Sequence, residues 1–229
     1  MSSMKGRIMK NKKLFIFLIL FFLSIIISIF LKNAYKTSKT GNTIIKSSND
    51  LAEYILNINS YEAEIEMQVN SNKNISKYVI KQKYTEPNIF KQEVLEPSNI
   101  QGVTITHDGN NIKLENTKLN LTKIYENYEY LADNFLDLKF FIEKYKEKDD
   151  SEYEEKENEI IMKTNIENNE YIQKARLYVS KESKVPTKLE LMDKNEKNIV
   201  YILYKEIKIN NLAKEDVLAF YLEKTKTNM

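Results

Sequence analysis

Along Tyr61-Glu62-Ala63-Glu64-Ile65-Glu66-Met67-Gln68-Val69 apolar and polar side chains alternate without a fault. Only a β-strand sends successive side chains to opposite faces, so this order makes one apolar face and one wet face. Such a strand is too long and too two-faced to stand alone. It needs a sheet on either side and something to cover its apolar face. The stretch therefore points to a sheet protein before any other residue is considered.

The chain on either side agrees. Before the strand, Leu51, Tyr54, Ile55 and Ile58 share one face of a 3.6-residue period, and Ser48-Asn49-Asp50 suits a helix N-cap. After a polar turn at Ser71–Asn74, a second strand is predicted to about Tyr84, ended by Glu86-Pro87-Asn88 because proline cannot donate into a ladder. Strands are then predicted over Ile89–Leu95 and Val103–Thr106, the latter closed by Asp108-Gly109-Asn110, a strong hairpin-turn signal. Two more follow, over about 111–115 and 119–125. From Tyr128 to Tyr145 the period changes: Leu131, Phe135, Leu138, Ile142 and Tyr145 form a helical stripe. Lys146–Asn158 is almost wholly charged and reads as a solvated loop or sheet edge. Strands resume at Glu159–Ile166, Tyr171–Val179, Thr187–Met192 and Ile199–Ile209, and Ala213–Glu223 reads as a closing helix. Helices lie between groups of strands rather than after each one, which argues for an α+β fold with one antiparallel sheet.

Composition narrows the setting. Of 229 residues 42% are hydrophobic and 30% charged, enough for one apolar segment plus one folded domain. Leu14–Leu31 carries no charge; as a helix it spans roughly 27 Å against a hydrocarbon core of about 30 Å. Its downstream flank, Lys32-Asn33-Ala34-Tyr35-Lys36, lacks a small-x-small cleavage pattern, so an uncleaved transmembrane anchor is expected. Lys5, Arg7, Lys10, Lys12 and Lys13 precede the run, and Lys32, Lys36 and Lys39 follow it. That bias predicts a single-pass cell-membrane protein with a cytoplasmic amino terminus and an extracytoplasmic C-terminal domain. The expected organisation is a basic tail over 1–13, an anchor over 14–31, a linker over 32–48 and a domain over 49–223. Removing those eight cations from the formal charge of +2 leaves −6 for the rest, which argues against a nucleic-acid partner.

Few residues invite chemistry. Cysteine is absent, so there is no disulfide, thiolate metal site or cysteine nucleophile. His107 is the only histidine; it precedes a tight turn and reads as an exposed turn residue, since a metal or triad needs converging partners. The acidic run from Asp149 to Glu157 lacks the alternating ligands and central glycine of a calcium loop. No phosphate loop, serine elbow or HExxH occurs, so the chain is expected to be no enzyme, with no metal and no cofactor. What remains is an apolar face: Ile65, Met67, Val69, Tyr78, Ile80, Tyr84 and Phe90, with Leu131, Phe135 and Leu138 from the helical stripe. These residues could line a ligand cavity or pack as a closed core, and the sequence leaves both open.

Pro87-Asn88-Ile89-Phe90-Lys91 with Glu93, then Asp108-Gly109-Asn110, Val185-Pro186-Thr187-Lys188 with Asp193, and Ile207-Lys208-Ile209-Asn210 form an ordered set. Over roughly residues 49–222 this set resembles the LolA/LolB/RseB-like lipoprotein-binding fold, and most of all clostridial GerS-type sporulation and germination proteins. The resemblance implies a strongly curved antiparallel sheet, an open half-barrel with helices on its concave face. It also implies a cell-envelope protein partner, a CwlD-like N-acetylmuramoyl-L-alanine amidase of the cell wall. An alternative is a lipid or lipoprotein carrier or sensor that takes an acyl chain on the concave face; a third reading is a structural envelope protein. GerS-type proteins are lipoproteins, whereas this chain has no cysteine to lipidate, so the apolar run is expected to anchor it instead.

Overall fold

The computed structural model describes residues 47–71, 73–128, 136–167 and 169–218. Its second compact unit, Ile45–Met229, holds all of them. The first element is helix α1 (Ser48–Leu56), followed by strands β1 (Ser60–Asn70), β2 (Ile75–Thr85), β3 (Ile89–Glu96), β4 (Val103–His107), β5 (Ile112–Asn116) and β6 (Leu121–Tyr125). Helix α2 (Leu138–Glu147) follows, then β7 (Glu152–Glu155), β8 (Glu159–Asn165), β9 (Lys174–Ser180), β10 (Pro186–Met192) and β11 (Asn198–Ile209). Residues 214–218 are helical.

All eleven strands form one sheet in the order β6-β5-β4-β3-β2-β1-β11-β10-β9-β8-β7. Every described pairing is antiparallel. Two meanders thus meet at the centre, where β1 pairs with β2 on one side and β11 on the other. The sheet is not closed: β6 and β7, consecutive in the chain, are its opposite edges. The chain between them, from 126 to 151, has to pass from one edge to the other, and it carries α2 on the way.

Burial follows the alternation in β1. Tyr61, Ala63, Ile65 and Met67 are buried, while Glu64 and Glu66 are exposed. Register carries this face across the sheet: Ile65 sits opposite Ile80 of β2 and Tyr204 of β11, and Leu189 of β10 opposite both Ile202 and Leu177. On it lie Leu51 and Ile55 of α1 and Leu138, Phe141 and Ile142 of α2, in one continuous core. A bulge between Glu64 and Ile65 leaves Lys205 of β11 unpaired, which bends that strand and sharpens its twist.

The cap of α1 is Ser47, one residue before the predicted one. Ser47 Oγ accepts the Asp50 N–H at 3.1 Å and Asp50 Oδ2 accepts the Ser47 N–H at 3.1 Å, a reciprocal capping box. The turn after β4 is as expected. Asp108 Oδ1 accepts the N–H groups of Asn110 and Asn111 at 2.9 and 2.8 Å, and Gly109 adopts φ +102°. Burial would raise the Asp108 carboxyl, but those two N–H groups outweigh it and hold the group below its ordinary value.

Three expectations need correction or restriction. The anchor over Leu14–Leu31, with the basic tail and most of the linker, lies outside the described residues. Among the described residues no helix is long and apolar enough to cross a membrane. Helices α1 and α2 have 9 and 10 residues, roughly 15 Å of rise against a hydrocarbon core of about 30 Å. The expected localisation, single-pass in the cell membrane with the domain outside, is corrected accordingly: the described residues give it no spanning helix. Second, α2 starts at Leu138, and neither Tyr128 nor Leu136 is helical; the predicted turns at Leu131 and Phe135 lie outside the described residues. Third, the charged run Lys146–Asn158 contributes the short edge strand β7.

Candidate functional site

The covered face is the first candidate, because the sequence placed a possible ligand surface there. Ile65, Met67, Ile80, Tyr84, Phe90 and Leu138 are all buried in the shared core, and Val69 and Tyr78 pack half-buried against it. Leu131 and Phe135 lie outside the described residues. The eight described positions therefore come together in one core, seven from the covered face of the sheet and Leu138 from α2.

Within that face is a polar cluster that the sequence reading did not single out. The Tyr61 hydroxyl donates to Asp137 Oδ1 at 2.8 Å, with both residues buried. Gln92 Nε2 reaches the same oxygen at 3.5 Å, and Gln82 Nε2 donates to the Leu136 carbonyl at 3.1 Å. The rings of Tyr61 and Tyr84 stack with centroids 5.6 Å apart. Asp137 sits at the N-cap of α2, but its side chain makes no capping hydrogen bond there. Among the described residues, the Tyr204 hydroxyl and Oε1 of Gln82 are buried without a hydrogen-bond partner. Burial lifts the phenols of Tyr61, Tyr84 and Tyr204 above their ordinary value, and the charge of Asp137 adds to the rise at each. A readable signal did exist: Gln82 and Gln92 occupy positions that the register reserves for apolar side chains, between Ile80 and Tyr84 and beside Phe90.

His107 is not an exposed turn residue. It is 1% exposed, its ring stacks on Phe90 at 5.5 Å, and Nδ1 donates to the Asn88 carbonyl. The histidine thus closes the turn between β2 and β3 from inside. His107→Ala is expected to cost about 2 kcal/mol or more in urea unfolding, from lost packing and an unpaired carbonyl. A truly exposed turn residue would stay within about 0.5 kcal/mol. Among the described residues no three His, Asp or Glu side chains converge as a metal site.

The other face is polar and satisfied. Tyr178 hydroxyl donates to Glu190 Oε2 at 2.8 Å, Lys188 Nζ meets Glu190 Oε1 at 3.1 Å and lies 3.5 Å from the Tyr178 ring centroid. An open groove of about 200 Å³ near β8 and β9 is bordered by Asp150, Lys163, Asn165, Lys174, Arg176 and Glu196. Its charges are already spoken for: Glu196 pairs with Lys174 at 2.7 Å and Arg176 at 2.5 Å, and Asn165 donates to Asp150 at 2.7 Å. Those pairings hold the Glu196 carboxyl down at about 2.

Apolar surface is left over at one place above all. Leu114, Leu119, Leu121, Ile124 and Tyr125, on β5, β6 and the turn between them, are five of the eight large hydrophobics exposed among the described residues. Every residue of β6 is exposed. Large exposed apolar patches on a folded surface mark places where something else binds.

A family model described as "Sporulation protein YdcC-like" matches residues 11–218. Among curated proteins none matches. Solved structures to which the chain is similar include an uncharacterized conserved protein from Thermus thermophilus. The two are 11% identical, over 75% of this chain and 93% of that one, with a TM-score of 0.49. Another is the CwlD amidase from Clostridioides difficile in complex with the GerS lipoprotein, with 25% identity, coverage of 72% and 97%, and a TM-score of 0.45. A third is a LolA superfamily protein from Nitrosomonas europaea, with 10% identity, coverage of 77% and 99%, and a TM-score of 0.37.

Proposed function

Since the chain belongs to the YdcC-like sporulation proteins, we propose that it is a non-enzymatic binding protein that holds a cell-envelope protein during sporulation or germination. The LolA-like domain over 49–223 serves as a bowed half-barrel whose helices fill its concave side. The partner is a cell-wall amidase of the CwlD class, the class that the GerS-like motif order nominates.

The observation that carries this reading is where the apolar surface lies. Ile65, Phe141, Ile142, Leu177 and Ile202 are all at 0% exposure in the core that the helices share, so the central part of this face spends its apolar area on the chain itself. What remains available to another molecule is the far end of that same face, where register continues it to Leu114, Leu121 and Tyr125, together with Ile124 on the reverse side of β6. A partner that stays folded can use such a surface, whereas an acyl chain needs an empty apolar interior.

The test is co-expression of the full chain with the CwlD-class amidase of the same genome, followed by size-exclusion chromatography. The two should co-elute as one species, earlier than either protein elutes when expressed alone. Separate elution of two folded proteins at micromolar concentration would sink the reading.

A further inference from the structure

We propose that β6 is an acceptor edge that takes an extended segment of the protein partner, with apolar side chains at alternate positions and a carboxylate opposite Lys123. The proposal rests on the partner-holding reading above and adds to it the surface and the chemistry of what docks.

The backbone comes first. On one side β6 pairs with β5, from Asn116 opposite Leu121 to Ile112 opposite Tyr125. On its other side no described strand follows, so alternate N–H and C=O groups point outward. Only another extended chain can satisfy such a row in register.

The side chains of β6 suit an occupant rather than water. Leu121, Ile124 and Tyr125 are 60%, 51% and 42% exposed. Register puts Leu121, Lys123 and Tyr125 on one face, and Thr122 and Ile124 on the other. The opposite edge shows how this sheet protects a strand that is meant to stay unpaired. There β7 has only four residues, three of them glutamates: Glu154 pairs with Lys163 at 2.8 Å, and Glu155 with Lys181 at 2.7 Å. Short length and charge are the usual guards of a free edge, and β6 has neither in the same degree.

Charge selects the occupant. Among the described residues Lys123 has no carboxylate partner; its Nζ lies 4.7 Å from the Tyr125 ring centroid. Lys118, in the adjoining turn, donates to the Ser98 carbonyl and Gln101 Oε1 and likewise meets no carboxylate. A carboxylate on the incoming strand would face the Lys123 ammonium directly. A second copy of the chain fits worse: two β6 strands paired antiparallel in full overlap would set Lys123 against Lys123, and like charges directly opposed are destabilising.

The probe is a fluorescein-labelled peptide with the core Val-Ile-Glu-Thr-Val, which sets its Glu opposite Lys123 when aligned antiparallel. A second peptide carries Lys in place of Glu. Fluorescence anisotropy against the full chain should show the Glu peptide binding wild type, about tenfold weaker binding to Lys123→Glu, and a reversed preference for the Lys peptide in that variant. Ile124→Lys should weaken both peptides. No binding of either peptide at millimolar concentration, or equal binding by wild type and Lys123→Glu, would overturn the proposal. So would a wild-type dimer that Leu121→Lys abolishes, since the edge would then belong to a second copy. Co-elution with the amidase separates the two levels of inference. A complex that survives Lys123→Glu and Ile124→Lys unchanged ends the edge proposal and leaves the function standing, whereas the peptide result stands even where no amidase complex forms.

Discussion

Phe141→Ala should lower the unfolding free energy by about 3–5 kcal/mol, the usual cost of removing a buried phenyl ring and leaving part of its space empty. Phe141 is at 0% exposure on α2, beside Leu138 and Ile142 at 0%, with Tyr145 tilted against it at 5.8 Å. The helix has little else to hold it. Its N-cap side chain makes no capping bond, and its ion pairs, Lys139 with Glu86 and Lys144 with Glu147, each involve a half-exposed glutamate. Such pairs contribute about 0–1 kcal/mol each. Lys139→Ala is therefore the matched control, expected within about 1 kcal/mol. Against a total stability of about 5–15 kcal/mol, the Phe141 loss is a large fraction. Urea unfolding followed by far-ultraviolet circular dichroism reads it as a lower midpoint at unchanged slope. A midpoint shift no larger than that of Lys139→Ala would mean that α2 does not close the core.

The same helix shows what the residues announced and what they hid. The run Leu138, Ile142 and Tyr145 was legible because helical spacing follows from backbone geometry alone. The start at Leu138 was not, because Leu131 and Phe135 continue the period upstream while Asp137, a good cap type, sits inside the pattern. The β1 alternation announced a central two-faced strand, and β1 is central. Its partner β11 lies some 140 residues downstream, and no local signal carries a pairing of that range. Likewise His107 looked like the first residue of an exposed turn because Asp108-Gly109 follows it. Its burial depends on Phe90, which only the pairing of β3 with β4 brings alongside. The apolar character of β6 was visible in Leu-Thr-Lys-Ile-Tyr, but that it is an edge depends on strand order, and so the most exposed apolar surface escaped notice. In each case local chemistry was readable, and what was lost was fixed by contacts distant in sequence.

The alkaline limb should show the largest response of all. Tyr61, Tyr84 and Tyr204 are buried with phenols pushed up, chiefly by burial and further by the charge of Asp137. In the unfolded chain a tyrosine releases its proton near pH 10. Above that value the unfolded chain has lost three protons that the folded chain still holds. The unfolding free energy then falls with pH by about 1.4 kcal/mol per unit for each residue, about 4 kcal/mol per unit for three. The sign is fixed: these raised groups leave stability intact below pH 10 and drain it as pH climbs towards their folded values. A domain of ordinary stability should unfold within a few units above pH 10. Urea midpoints at pH 8, 10.5 and 11.5 measure the slope. Two variants apportion it. Tyr204→Phe removes a hydroxyl that has no hydrogen-bond partner among the described residues, so it should be near neutral at pH 8 and should cut the alkaline slope by about a third. Tyr61→Phe should cut the slope equally, yet cost about 1.5–3 kcal/mol at pH 8, because it strips a donor from the buried Asp137 carboxylate. Equal behaviour of the two variants at pH 8 would deny that the Tyr61–Asp137 bond stabilises the fold, and an alkaline slope untouched by either would deny that these phenols are buried at all.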